Sequence, residues 1–190
     1  MLRPMVKLKD YKKNFQPHDV PDALSKLVEF DAKQDGYFAS GFELAVDDKG
    51  GMKTWSDAPE FLGALFPIGQ ANGSGSTYAF WQTGDGDLAS APVIVFGDEG
   101  GVHVVAANLA ELLRLLSYDT EPMIDHDEVT YYKDPDDHEP SDGAADYTSW
   151  LAKTFKLKPA GTKDVTTIVK AATKAHGKAF ATWMKKFYAG

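Results

Sequence analysis

The sequence predicts an α+β fold built on a single, mainly antiparallel sheet that is packed by helices. Short apolar segments separated by glycine-rich turns follow one another from Phe66 to Val105, which is typical of a meander of β-strands. Helical patterns stand before and after this run instead of alternating with its strands, and that order favours α+β over α/β. The chain has 190 residues, enough to bury a core without disulfides or metals.

The N-terminal part predicts a helix and then a strand. The helix is expected from Pro21 to about Gln34, because proline suits the first turn, where its missing N–H has no helical partner. Apolar side chains follow at helical spacing: Leu24, Leu27 and Val28. A strand is predicted over 38–46, where alternate residues share one face: Phe38, Ser40, Phe42, Leu44 and Val46.

The central part predicts two helix caps around the meander. Asp57 and Glu60 have the spacing of a capping box, which predicts a short helix through Leu65. Asn108 and Glu111 have the same spacing and predict the start of a helix that ends near Leu116. Between them lie the four predicted strands of the meander, with a hairpin turn at 70–76: 66–69, 77–82, 92–96 and 102–105.

The C-terminal part predicts an acidic loop and two helices. Residues 117–146 are rich in turn residues and acids and form a long surface loop with a short strand at 129–132. Helices are expected over 146–156 and 164–188. The polar face of the last helix carries five lysines: Lys170, Lys174, Lys178, Lys185 and Lys186.

One domain is expected over 1–190. Its core is placed at about 19–155, with the acidic loop at 117–146 and a C-terminal helical extension at 163–190.

Charge is distributed unevenly along the chain. The net charge is −8, yet residues 117–146 hold eleven acidic residues and one basic residue, and 147–190 hold nine basic residues and one acidic residue. The negative field of residues 117–146 repels nucleic acid and attracts basic surfaces. Two interpretations stay open: a surface that faces a partner, or a solvated loop that aids solubility. The lysines of the last helix are expected to remain in water, facing the acidic loop, and not to bind nucleic acid.

Several function classes lack their signatures. Cysteine is absent, which excludes disulfides and thiolate chemistry and fits a reducing cytoplasm. No apolar run is long enough to cross a membrane, and the N-terminus lacks the apolar region of a signal peptide, so a cytoplasmic protein without a membrane partner is expected. Gly73-Ser74-Gly75 precedes a strand and not a helix, so a phosphate-binding loop is disfavoured.

One cluster keeps a metal-dependent enzyme open as an alternative. Carboxylates and imidazoles are suitable ligands for divalent metals, and the cluster comprises Asp125, His126, Asp127, Glu128, Asp134, Asp136, Asp137, His138 and Glu139. These residues lie in a predicted loop, where structured neighbours that would fix the ligands are missing. The expectation is therefore no metal, no cofactor and no catalytic residue.

The chain resembles the SUKH superfamily, which includes fungal cell-wall-synthesis regulators and many bacterial immunity proteins. The resemblance covers about residues 20–120 and rests on a helix followed by the strand 38–46, the run from Phe66 to Trp81, the strand Ala91–Phe96 and the segment Val104–Leu116. It implies a single curved sheet packed by helices. It also implies binding and not catalysis, since such bacterial proteins commonly neutralise a toxin, often a nuclease.

The prediction is therefore a non-enzymatic protein-binding module, an immunity protein whose acidic surface holds a basic toxin domain. Aromatic side chains among the acids are the expected anchors of the interface, because such anchors carry most binding energy. The predicted partner-binding residues are Asp119, Glu121, Asp125, Asp127, Glu128, Tyr131, Tyr132, Asp134, Asp136, Asp137 and Glu139. The alternative is a regulatory scaffold that binds no toxin.

Overall fold

A computed structural model describes residues 5–188 and confirms the α+β fold. In that range the helices are α1 (Leu8–Tyr11), a 3-10 helix (Lys12–Phe15), α2 (Asp22–Asp31), α3 (Gly50–Lys53), α4 (Pro59–Gly63), a 3-10 turn (Leu88–Ser90), α5 (Leu109–Leu116), α6 (Ala144–Phe155), α7 (Thr162–Ala172), a π-helical turn (Thr173–Gly177) and α8 (Lys178–Met184). The strands are β1 (Glu43–Leu44), β2 (Leu65–Gln70), β3 (Thr77–Trp81), β4 (Val93–Phe96), β5 (Val102–Ala106), β6 (Pro122–Ile124) and β7 (Val129–Tyr131).

The main sheet is an antiparallel meander of five strands in the order β1-β2-β3-β4-β5. Strands β2 and β3 pair Leu65 with Trp81 and Gln70 with Thr77, so the glycine-rich segment between them is the predicted hairpin turn. A strand, and not a helix, follows this turn, so no helix N-terminus is present there to bind a phosphate. The register shifts between Pro67 and Gly69, where proline has no N–H to give to a ladder.

Both faces of the sheet are buried. Strands β3 and β4 send alternate side chains to opposite faces: Tyr78, Phe80, Val93 and Val95 on one face, and Ala79, Ile94 and Phe96 on the other. The first face packs against α2, α5 and α6, and the second packs against α3, α4 and α8. The sheet therefore lies between two layers of helices.

The N-terminal residues extend the core beyond the predicted boundary at residue 19. Tyr11 and Phe15 are fully buried under the sheet. The Tyr11 hydroxyl donates to the Ile68 carbonyl at 2.6 Å, and the buried Asn14 side-chain amide donates to the Ala45 carbonyl at 2.8 Å.

The C-terminal helix also belongs to the core and is not an appendage. The predicted helix over 164–188 is interrupted by the π-helical turn, which divides it into α7 and α8. Trp183 of α8 stacks on Phe61 with ring centroids 5.2 Å apart, and Phe180 and Met184 are buried beside it. These side chains complete the cover of the second face of the sheet together with α3 and α4.

The predicted strand over 38–46 is wrong in length, because only Glu43 and Leu44 pair with β2. The preceding backbone finds other partners. The Ser40 N–H donates to the Asp119 carboxylate at 2.7 Å, and the Tyr37 carbonyl accepts from the Gly143 N–H at 2.9 Å. This segment wraps around the end of the core as an irregular chain.

The two predicted helix caps have different outcomes. Asn108 caps α5, since its side-chain oxygen accepts from the Glu111 N–H at 2.9 Å. Asp57 is not a cap: α4 begins after Ala58, with Pro59 in its first turn. Proline at the first helical position supplies the start signal there instead.

No helix within residues 5–188 combines the length and apolar character needed to cross a membrane.

Candidate protein-binding surface

The predicted acidic loop is in part a β-hairpin. Strands β6 and β7 pair Pro122 with Tyr131 and Ile124 with Val129. The strand predicted at 129–132 is confirmed, whereas the sequence did not predict β6. The hairpin turn is closed by the Asp125 N–H, which donates to the Glu128 carbonyl at 2.9 Å.

Glycines in the β4–β5 turn hold the hairpin close to the main sheet. A Cβ atom on Gly101 would overlap the Asp125 carbonyl, and one on Gly100 would meet the His126 ring. The His103 Nε2 atom lies 2.6 Å from the Asp125 carbonyl oxygen, a hydrogen-bond distance. The acidic turn is therefore positioned by backbone contacts and not left as a free loop.

Tyr131 lies on the inner face of the hairpin and is not a free anchor. Its hydroxyl shares a 2.8 Å hydrogen bond with the hydroxyl of Tyr78, which is fully buried. Burial raises the pKa of both tyrosines, so both stay neutral at physiological pH. The prediction of Tyr131 as a partner-binding residue is corrected: its side chain attaches the hairpin to the core.

The outer face of the hairpin exposes an apolar pair. Met123 is 60% exposed and Tyr132 is 64% exposed. Met123 pairs with Thr130, and Tyr132 lies two residues further along the chain, so the two side chains are diagonal neighbours on one face. A partner could bury both side chains together, because they are adjacent on one face of the hairpin.

The remaining predicted acids are exposed on the hairpin and on the segment that follows it: Glu121, Asp125, Asp127, Glu128, Asp134, Asp136, Asp137 and Glu139. We call these eight acids together with Met123 and Tyr132 the acidic surface. Part of it is ordered locally, since the Asp134 carboxylate accepts from the Asp136 N–H at 2.9 Å.

Asp119 does not belong to the acidic surface, because its exposed fraction is only 4%. Its carboxylate accepts hydrogen bonds from the Ser40 N–H at 2.7 Å, the Ser141 N–H at 2.8 Å and the Ser141 hydroxyl at 2.6 Å. The His138 Nε2 atom lies 3.6 Å away. Asp119 therefore ties the segment after β7 to the core, which corrects its prediction as a partner-binding residue.

The metal-site alternative requires at least three ligands in one place. Within residues 5–188, no three His, Asp or Glu side chains form a group that could hold a metal ion. His138 turns inward to Asp119, while Asp125 to Glu128 form the hairpin turn.

A groove of about 1320 Å³ separates the hairpin from the C-terminal helix. Lys170, Lys174 and Lys185 line one wall, and Asp127 and Glu128 line the other. Three of the five predicted lysines therefore face the acidic segment across the groove. No ion pair within 4.0 Å joins the two walls in the part of the chain that the structure describes.

Asp98 also lines the groove, at the β4–β5 turn. Hydrogen bonds from the Ser76 hydroxyl, at 2.5 Å, and from the Ser74 hydroxyl hold the pKa of its carboxyl below the usual range. The carboxylate is therefore ionised at neutral pH and adds to the negative wall.

Comparison of the chain with protein-family models, with curated proteins and with solved structures gave no match. The resemblance to the SUKH superfamily accordingly stays a prediction.

Proposed function

We propose that the chain is a non-enzymatic protein-binding module that neutralises a basic toxin domain, as immunity proteins do, through its acidic surface. The observation that carries this proposal is the exposed Met123–Tyr132 pair within a field of acids. Interfaces of this kind combine a central apolar or aromatic anchor with a charged rim.

The two parts of the acidic surface have different roles in the proposal. Exposed acids contribute little affinity one by one, but together they raise the association rate for a basic partner. Tyr132 supplies the anchor, because tyrosine buries a large area at low cost in conformational entropy when it enters a partner's pocket. The partner's basic cleft is the one that otherwise holds nucleic-acid phosphates.

The test asks whether a basic toxin domain encoded beside this chain binds it, measured by surface plasmon resonance. Replacing Tyr132 by Ala should weaken the complex by about 2 kcal/mol, roughly 30-fold, as for an aromatic hot spot. The control is Met5→Ala, because Met5 is similarly exposed at 62% and lies outside the acidic surface. No binding, or equal loss in both variants, would refute the proposal. A complex with a partner that is not a toxin would favour the regulatory scaffold.

A further inference from the structure

The groove between the hairpin and the C-terminal helix combines an apolar floor with lysines, and the contact proposed at Tyr132 uses neither. Its helical wall runs along α7, the π-helical turn and α8, and its other wall is formed by the β4–β5 turn, the start of β5 and β7. A π-helical turn within an α-helix frequently marks a functional site. Here the turn contributes Thr173, Lys174 and Gly177 to the groove.

The lining is apolar between its charged rims. It includes the sheet residues Val102 and Val104 and the helix residues Val169, Phe180 and Met184. Val104, Phe180 and Met184 are buried beneath it and Val102 and Val169 are half-buried, so the groove has an ordered hydrophobic floor. A floor of this kind binds hydrocarbon, and its polar rim selects the head group.

The three lysines of the helical wall have no acidic partner. Among residues 5–188, neither an ion pair nor a hydrogen bond engages the side-chain nitrogen of Lys170, Lys174 or Lys185. Each lysine is exposed. An anion placed at this rim would gain charge-assisted hydrogen bonds without displacing an existing one.

The opposite wall restricts the ligand further. Asp127 and Glu128 are exposed there, and Asp98 is ionised. An anionic group placed against these carboxylates would be repelled. The head of an anionic ligand is therefore expected at the lysine wall, with its apolar end on the floor.

We propose that this groove binds a single-chain anionic amphiphile, with its carboxylate or phosphate head at Lys170 and Lys174, which lie about one helical turn apart, and its hydrocarbon tail on the floor. The site is separate from the contact made by Tyr132, so it stands whether or not the chain binds a toxin. A free fatty acid and a lipid with a phosphate head share this chemistry.

Isothermal titration calorimetry with dodecanoate and with dodecyl phosphate, each below its micelle concentration, tests the proposal and distinguishes the two sources. Saturable binding at one site is expected for at least one of them. Shortening the better ligand by two methylenes should weaken binding roughly tenfold, since each buried methylene contributes roughly a fourfold factor. Dodecyltrimethylammonium should bind at least about tenfold more weakly, because the lysines repel its cationic head group.

Variants assign the binding to the groove. The triple change Lys170→Gln, Lys174→Gln and Lys185→Gln should lower the affinity for the better ligand about tenfold or more. The matched control is Lys163→Gln, Lys178→Gln and Lys186→Gln, which removes the same charge from exposed lysines outside the groove and should change affinity less than about twofold. Circular dichroism checks that both triple variants fold.

Three results would overturn the proposal. The first is no saturable binding of either anion to the unmodified chain. The second is an equal loss in both triple variants, which would mean general charge attraction. The third is displacement of a bound dansyl amphiphile by an alternating Glu-Val octapeptide but not by dodecanoate, which would assign the groove to a polypeptide.

Discussion

At the scale of single residues, long-range partners decide which acids are structural and which are exposed. Asp119 is one of eleven acids in residues 117–146, and nothing in the local sequence distinguishes it. Its partner Ser40 is 79 positions away, so the burial of Asp119 could not be read from sequence spacing. Tyr131 and Tyr132 are adjacent, yet strand alternation sends them to opposite faces, and only the register of the hairpin determines which one packs, half-buried, on the core.

The role assigned to Asp119 gives a prediction about stability. Replacing Asp119 by Ala should lower the free energy of unfolding by about 2–4 kcal/mol, because Ser40 and Ser141 lose a charged acceptor in a buried site. Urea unfolding measures the loss. Asp137→Ala is the control, since Asp137 is exposed, and it should change stability by less than about 0.5 kcal/mol. Equal stability of the Asp119 and Asp137 variants would contradict the structural role.

At the scale of elements, the strands that are apolar runs bounded by turns were predictable, whereas the alternation at 38–46 overestimated a strand of two residues. β2 to β5 combine apolar runs with glycine turns, and the structure places all four where the sequence predicts them. β6 begins with a proline and has only three residues, so it lacks a detectable period. The π-helical turn in the last helix could not be predicted from the sequence either, because Thr173 to Gly177 contains no proline and continues the helical pattern.

The contact between the β4–β5 turn and the hairpin gives an element-scale prediction. Gly101 has a φ of 80°, and a Cβ atom there would overlap the Asp125 carbonyl. Gly101→Ala should therefore destabilise the protein by about 1–3 kcal/mol. It should also speed amide hydrogen exchange in β6 and β7, because the hairpin would be displaced.

Gly73 supplies the control for this experiment. It lies in the β2–β3 turn, a Cβ atom there would meet nothing within 4 Å, and its φ is not positive. Gly73→Ala should leave hydrogen exchange in the hairpin unchanged. Faster exchange in both variants, or in neither, would show that the glycine contact does not hold the hairpin.

At the scale of the whole molecule, the charged segments are attached to a single packed body. The C-terminal helix closes the second face of the sheet, and the acidic hairpin is fixed over the β4–β5 turn. The sequence predicted the sign of the charge on each segment, since charge is local. It could not predict that a groove separates them, because that follows from how the two segments pack on the sheet.

The packing of the C-terminal helix gives a prediction about the whole fold. Trp183→Ala should destabilise the protein by about 3–5 kcal/mol, because a large ring stacked on Phe61 is removed from the second core. Thermal unfolding measures it, with the exposed Lys186→Ala as control. A loss below about 1 kcal/mol would mean that the helix is an appendage after all.

The central claim is that the acidic surface recognises a basic protein. It is tested most directly by the association rate constant of the basic partner domain proposed above, measured by stopped flow against ionic strength. We expect the rate to fall at least about tenfold between low and physiological salt, because screening removes electrostatic steering. Asp127→Asn, Glu128→Gln and Asp137→Asn together should flatten this dependence, whereas Asp57→Asn, Glu60→Gln and Asp85→Asn, which neutralise exposed acids elsewhere, should not. A rate that is independent of salt, or equally affected by both sets of changes, would contradict the account.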